Sequence, residues 1–245
     1  MAQNVYDNPE FYEGYEKIRN HPFCYNELIE FPVMQDLLPD IKDKDVLDVG
    51  CGMGKFIGYM LDFNPKSITG IDISNNMIQY AKSQIQSDKV TFHVTDALSY
   101  ATNQKYDVIV SSLAFHYIEQ YDTLIKHMYQ LLNDNGVLLF STEHPATTAT
   151  KQEEIWHHEP NEYNHYKLDH YFDESERTIE WLNTNVVKYH RTIGTLINTL
   201  IDNQFVIERV QDTGNTRLSI EQWDEQKIQK VNNRPPFIVI RARKA

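Results

Sequence analysis

The residues best placed to do chemistry lie in one run, Val46-Leu47-Asp48-Val49-Gly50-Cys51-Gly52-Met53-Gly54-Lys55-Phe56. Glycines at 50, 52 and 54 let the backbone turn tightly and approach a ligand closely. N–H groups at the start of a following helix can then bind polar or anionic ligand atoms. Asp72 ends the next predicted strand, Ser67-Ile68-Thr69-Gly70-Ile71, about one strand-helix unit downstream. A carboxylate there can accept hydrogen bonds from both hydroxyls of a ribose. Two details separate this run from a dinucleotide fingerprint. The spacing is G-x-G-x-G, and Lys55 stands where the third glycine of G-x-G-x-x-G would fall. Asp48 also adds negative charge just before the loop, which suits an ammonium or sulfonium better than a diphosphate.

Further candidates follow later strands. The run Ser111-Ser112-Leu113-Ala114-Phe115-His116-Tyr117 ends the fourth predicted strand. His116, with an unperturbed pKa near ~6.5, is a candidate base or substrate contact, or a packed side chain. Tyr117 beside it is a candidate substrate contact. Glu143-His144-Pro145 follows the fifth strand at the same sheet edge, where open α/β sheets bind ligands. Glu143 and His144 either orient an acceptor or anchor a cap. His190-Arg191 precedes a helix, where a structural role is favoured over binding an anionic acceptor. Tyr15 and Arg19 either close over the ligand or belong to an ordinary packed helix. His157 and His158 are adjacent, and His165 and His170 are five apart. Neither pair has the i, i+4 helical spacing of a zinc site and no cysteine pair completes one, so no metal centre is expected.

The elements that must position these residues read clearly from 45 to 145. Short apolar runs at 46–49, 67–71, 90–94, 106–110 and 136–141 alternate with amphipathic stretches at 55–62, 75–86 and 121–132. That alternation predicts a parallel sheet with helices on both faces. Residues 1–44 read as a helical, aromatic-rich extension, with a second stretch from Asn26 to Leu38 interrupted by Pro32. Residues 146–190 break the alternation and are polar and aromatic, which predicts an inserted cap. A hairpin of 168–172 with 177–181, turning at 173–176, is expected there. Residues 191–245 complete the core with a helix at 192–203 and strands at 205–210 and 237–242.

Composition sets the outer bounds. The chain has 245 residues, a formal charge of −12, 41% hydrophobic and 24% charged residues, which is a globular balance. The negative total argues against a general nucleic-acid binder, which needs Lys and Arg to displace counterions. No run reaches the ~20 apolar residues that span a bilayer, and the first residues lack a signal-peptide pattern. Two cysteines, Cys24 and Cys51, make no disulfide framework, so a cytoplasmic location is expected. Residues 1–44, 45–145 and 146–190 each carry net negative charge, while 191–245 is net positive. An acidic-walled cleft suited to a neutral or cationic small acceptor is therefore expected.

Taken together, Val46 to Phe56 and Asp72 resemble motifs I and II of class I S-adenosylmethionine-dependent methyltransferases, most closely the type 11 set. Thr95-Asp96-Ala97, Tyr106 to Ile118 and Leu131 to Ser141 resemble that family's later motifs. The resemblance implies a Rossmann-like α/β fold with a seven-stranded, mostly parallel sheet in the order 3-2-1-4-5-7-6, strand seven antiparallel. It implies S-adenosylmethionine as cofactor and S-adenosylhomocysteine as product. By the same resemblance Gly50, Cys51, Gly52 and Gly54 line the methionine part and Asp48 lies near its ammonium. Asp72 holds the ribose, Ile73 and Met77 pack on the adenine, Asp96 and Ala97 meet its edge, and Ser111 and Leu113 sit under the sulfonium. Amino-group methyltransferases of nucleic acids and glutamine resemble one another in an Asp/Asn-Pro-Pro-Tyr/Phe loop after strand four, which this chain lacks. Arg234-Pro235-Pro236-Phe237 precedes the last strand and cannot serve as that loop. The expected activity is methyl transfer to a small organic acceptor. Methylation of RNA or protein, or cofactor binding without catalysis, are the alternatives, and the oligomeric state is left open.

Overall fold

The computed structural model describes the backbone of residues 3–151, 156–157 and 165–245. Trp156, His157, His158, Tyr163 and His165, counted above among the cap aromatics and histidines, lie outside the residues with described side chains.

Helix α1 (Pro9–Arg19) starts where the sequence supplies a cap. The Asn8 side chain accepts from the Glu10 and Phe11 N–H groups, Pro9 sits in the first turn, and Lys17 and Arg19 occupy the last. The break anticipated at Pro32 takes a specific form. A five-residue π-helical turn, Asn26–Glu30, leads directly into α2 (Phe31–Leu37), with Pro32 in the first turn of α2. Proline has no N–H to give the Leu28 carbonyl. That carbonyl instead accepts the Thr216 hydroxyl at 2.8 Å. The π turn buries three consecutive residues, Leu28, Ile29 and Glu30.

The core then runs β1 (Asp45–Val49), α3 (Lys55–Leu61), β2 (Ser67–Asp72), α4 (Asn75–Gln84), β3 (Val90–Val94), β4 (Tyr106–Ser111), α5 (Tyr121–Leu131) and β5 (Leu132–Glu143). After it come α6 (Pro145–Thr148), the short strands β6 (Trp156–His157) and β7 (His165–Tyr166), and the hairpin β8 (Glu176–Trp181) and β9 (Thr184–Tyr189). The chain ends with α7 (Ile193–Asp202), β10 (Phe205–Asp212), α8 (Arg217–Gln222), α9 (Glu225–Asn233) and β11 (Phe237–Lys244). One seven-stranded sheet has the order β10-β11-β5-β4-β1-β2-β3. With β10 and β11 as sixth and seventh strands, this is the expected order 3-2-1-4-5-7-6. Only β11 runs antiparallel to both of its neighbours. Helices α8 and α9, between the last two strands, are not anticipated from the sequence pattern.

The sheet is buried on both faces, so its strands read as continuous apolar runs rather than alternating ones. Leu47, Ile109, Leu138 and Ile240 pack on the side of α5 and α7. Val46, Val108, Leu139 and Val239 pack on the other side, with Phe31, Ile57 and Met60. Each fully buried side chain of this size contributes roughly 1.5–3 kcal/mol by leaving water. No helix among the described residues is long and apolar enough to cross a membrane.

The cap hairpin differs from expectation. The strand near 177–181 forms, but its partner is β9, not 168–172. The turn is Leu182-Asn183, with φ of 51° and 57°. Positive φ at both central residues is the pattern of a tight two-residue hairpin, and Asn tolerates it. Residues 170–175 instead form a loop gathered around the buried Arg177, whose guanidinium donates to the carbonyls of Ala149, Asp173 and Ser175. The inward side chains of β9 are Val186 and Lys188, and a buried lysine masks the apolar alternation that marks a strand.

Candidate active site

All the functional candidates that meet do so in one cleft of about 750 Å³ along the C-terminal edge of β1, β2 and β4. Its floor is the glycine loop. Gly50 has φ of 72°, and a Cβ there would collide with the Ala114 side chain. Gly54 begins α3 at φ of 78°, with Ile85 and Ala81 packed against the place its Cβ would take. The Gly50 and Cys51 N–H groups both donate to the Ile71 carbonyl, at 2.8 and 3.0 Å. This ties the loop to the end of β2, where Asp72 stands.

Asp72 is held rigidly. Its Oδ2 accepts the Gly52 N–H at 2.9 Å and its Oδ1 accepts the Ser74 N–H at 2.8 Å. Burial pushes its carboxyl up to about 6, with the two backbone donors pulling the other way. Asp48 is also buried, and its Oδ1 has no hydrogen-bond partner. Burial, then the negative charges of Asp72 and Glu30, push its carboxyl up to about 8. A buried acceptor without a donor is costly unless a ligand supplies one. This end of the cleft is therefore built to receive a cation or a strong donor. Ile73, Met77, Asp96 and Ala97 line its far end. The Asp96 side chain accepts the Leu98 N–H at 2.8 Å, which fixes the turn after β3.

Leu113 lines the cleft in a left-handed conformation, φ 51°. Its N–H is shared between the Ser141 carbonyl at 3.2 Å and the Ser141 hydroxyl at 3.0 Å. Ser111 and Gly54 do not line the cleft. The Ser111 hydroxyl donates to the Val49 carbonyl at 2.8 Å inside the sheet, and the serine facing the cleft is Ser112.

Beyond Leu113 the cleft becomes an aromatic chamber. Tyr6 packs against Tyr15 with ring centroids 4.9 Å apart, and Tyr15 against Trp181 at 5.8 Å. The Tyr117 phenol lies beside that of Tyr6. Burial raises the pKa of all three phenols, so they act as neutral hydrogen-bonding groups. His116 is buried against Tyr117, and burial lowers its pKa to about 4. Its Nδ1 lies 3.4 Å from the Thr142 hydroxyl. Glu143 forms an ion pair with Lys188 of β9. Burial pushes the Glu143 carboxyl up, but the Lys188 ammonium and His116 outweigh it and the net shift is downward. Arg19 reaches the cleft from α1 and lies over the Phe31 ring at 5.3 Å.

Besides Ser111 and Gly54, two further predicted site residues stand apart from the cleft. His144 caps α6 by accepting the Ala146 N–H at 3.0 Å, and its Nε2 meets Asp212 at 3.1 Å. His190 bonds Thr148 at 2.7 Å and the Tyr171 carbonyl at 2.8 Å. Their rings are used on both nitrogens by structural partners. The expected acidic wall is instead mixed in charge, because Arg19, Lys55 and Lys188 line the cleft with Asp48, Asp72 and Glu143. Among the described residues no cluster of His, Cys, Asp or Glu could hold a metal ion. Sequence reasoning missed Glu30, Tyr6 and Lys188, which sit in no motif.

With this geometry in view, relatives decide the family. A methyltransferase-domain family (type 23) matches residues 25–186. The chain is a class I S-adenosylmethionine-dependent methyltransferase. This methyltransferase is 36% identical to an uncharacterized protein of Haemophilus influenzae, over 98% of this chain and 97% of that one. An S-adenosylmethionine-dependent methyltransferase from Listeria monocytogenes is 34% identical, with a TM-score of 0.79 over 88% of this chain and 98% of that chain. A malonyl-[acyl-carrier protein] O-methyltransferase from Acetivibrio thermocellus is 36% identical over 55% of this chain, and the match spans about half of that relative, 46%. The cofactor is S-adenosylmethionine, and the site fits it: the unpartnered Asp48 Oδ1 answers a cationic ligand, and the left-handed Gly52, with nothing near the place its Cβ would take, leaves the backbone open to it.

Proposed function

We propose that this methyltransferase methylates a small organic acceptor held in the aromatic chamber formed by the N-terminal segment, the cap and the sheet edge. The observation that carries this reading is the chamber itself. Tyr6, Tyr15, Tyr117 and Trp181 enclose a space that opens at Leu113 and contains one ion pair, Glu143–Lys188. A recess lined in this way suits a small molecule rather than a duplex or a folded domain.

S-adenosylmethionine supplies a methyl group on a sulfonium, which an acceptor atom takes by in-line displacement. In the proposed roles, Asp48 receives the ammonium of the donor and Asp72 the ribose hydroxyls. Gly50, Cys51 and Gly52 give the methionine part close backbone contact. Ile73 and Met77 pack on the adenine, with Asp96 and Ala97 at its edge. Leu113 and Ser112 border the reacting methyl, Ser112 in the role first expected of Ser111. Tyr15 and Arg19 close the mouth. The protein then mainly orients and desolvates the acceptor, an effect worth on the order of 7 kcal/mol in favourable cases. His116 and Glu143 are the orienting groups. His116 is neutral well below pH 7 and a weak base, so it suits a nucleophile that loses its proton late or carries none.

The test is transfer of a tritiated methyl group from the cofactor to a metabolite extract, with RNA, protein and acyl-carrier fractions in parallel. Label in the small-molecule fraction supports the proposal. Label only in RNA, protein or an acyl carrier sinks it.

A further inference from the structure

Glu30 is fully buried behind the cleft, and no step above uses it. A Leu would fill that space without the cost of burying a carboxyl group. Its surroundings explain what the carboxyl does. Oε1 accepts two hydroxyls, from Ser112 at 2.7 Å and Ser141 at 2.6 Å. Oε2 accepts the Asn26 side-chain amide at 3.3 Å. Burial raises the Glu30 pKa, while the Ser141 and Ser112 hydroxyls, the charge of Arg19 and the Asn26 amide pull the other way and favour the carboxylate.

Both serines act on the reacting end of the cleft. Ser141 directs its hydroxyl hydrogen to Glu30, so its oxygen is free to accept the Leu113 N–H at 3.0 Å. That bond helps hold Leu113 in its left-handed conformation, which a Leu adopts only under constraint. Ser112 lines the cleft, and its proton also points away toward Glu30. Only lone pairs of its oxygen are left for the ligand. The charge of Glu30 reaches the cleft as well, since it is one of the groups that raise the pKa of Asp48.

We propose that Glu30 is a positioning residue that sets the loop at Ser112-Leu113 and makes the methyl-donor pocket select a cationic sulfur over a neutral one. It works through Ser112 and Ser141, not by touching the donor. The inference rests on the family's sulfonium cofactor and is independent of the acceptor proposed above.

S-adenosylmethionine and S-adenosylhomocysteine share adenosine, ammonium and carboxylate, and differ at the sulfur in the methyl and its positive charge. Calorimetric titration of the full chain with each, for wild type, Glu30→Gln and Glu30→Ala, isolates the effect. Glutamine keeps an oxygen for the two serines but removes the charge. It is expected to hold S-adenosylhomocysteine within about threefold of wild type while weakening S-adenosylmethionine about tenfold. Alanine also releases the loop and is expected to weaken both ligands, S-adenosylmethionine the more. Equal factors for the two ligands in Glu30→Gln, or none for either, overturn the proposal and leave Glu30 a packing residue. Should Glu30→Ala fail to fold, Glu30→Gln with Ser112→Ala carries the test, and Ser112→Ala is expected to lower the ligand ratio in the same direction. Failure of the wild type to bind either ligand would overturn the cofactor assignments instead.

Discussion

At the donor end of the cleft, the groups that face the ligand come mostly from one stretch, Asp48 to Ala97, carried on three consecutive strand ends of one sheet. At the acceptor end they come from Tyr6 and Tyr15, from His116 and Tyr117, from Glu143, and from Trp181 and Lys188. The donor end is held largely by backbone hydrogen bonds, as when Gly50 and Cys51 tie β1 to β2. The acceptor end is held by side chains from distant segments, such as Gln3, which bonds the backbone of Asn185 and Val187 on β9. Backbone ties survive most substitutions, whereas side-chain ties change with each one. The donor end is thus suited to one constant ligand, and the acceptor end can vary without disturbing it.

The comparison breaks most visibly at Asp72. Asp72→Ala removes the proposed ribose partner and frees the Gly52 and Ser74 N–H groups. Affinity for S-adenosylhomocysteine is expected to fall at least about a hundredfold by calorimetry, as for two charge-assisted hydrogen bonds of roughly 1.5–3 kcal/mol each. Equal affinity in wild type and variant would remove Asp72 from the donor site.

Lys188→Met attacks the other end. It leaves the Glu143 carboxylate buried without its cation, so the chain should lose roughly 3 kcal/mol of stability, read from denaturant unfolding. Methyl transfer should drop sharply while S-adenosylhomocysteine binding stays within about twofold. A matching loss of cofactor affinity would show that the two ends are not separable.

Asp48 sharpens the comparison through pH. Its folded pKa of about 8 lies above the ordinary carboxylate value, so the ligand-free protein loses stability from this group as pH rises toward 8. Asp48→Asn should therefore raise the melting temperature of the ligand-free protein at pH 8.5. A cationic donor needs the charged carboxylate, so affinity for S-adenosylmethionine should climb between pH 6 and about 8 and then level, with proton release on binding near pH 7. A flat profile in wild type would place the ammonium elsewhere.

His116→Asn is expected to have the smallest effect, a loss of about tenfold in turnover with cofactor affinity unchanged. Because burial lowers its pKa to about 4, the wild-type rate at saturating S-adenosylmethionine should have no inflection near pH 6.5. An inflection there that disappears in the variant would mean that the ring is solvated and titrates freely.

Legibility in the sequence follows the same division. The glycine loop, Asp72 and the order of strands and helices to Ser141 are readable because each is local: a turn needing left-handed residues, a carboxylate at a strand end, an apolar period. Ser111 was one residue out because only the sheet decides which of two adjacent serines faces the cleft. The partner strand in the cap is not legible because Lys188 faces inward, against the usual pattern. Glu30 carried no signal, since a Glu before Phe31-Pro32 reads as a solvated helix residue until the π turn buries it.

By itself, then, the sequence determined that this chain builds a nucleoside site on a doubly wound sheet, because short-range backbone geometry is written in neighbouring residues. Tertiary structure alone decided what lies across from that site. The aromatic chamber, the Glu143–Lys188 pair and the Glu30–serine cluster join residues dozens to more than a hundred positions apart. Their chemistry depends on burial and on which partner each group meets, and both arise only when the chain has closed.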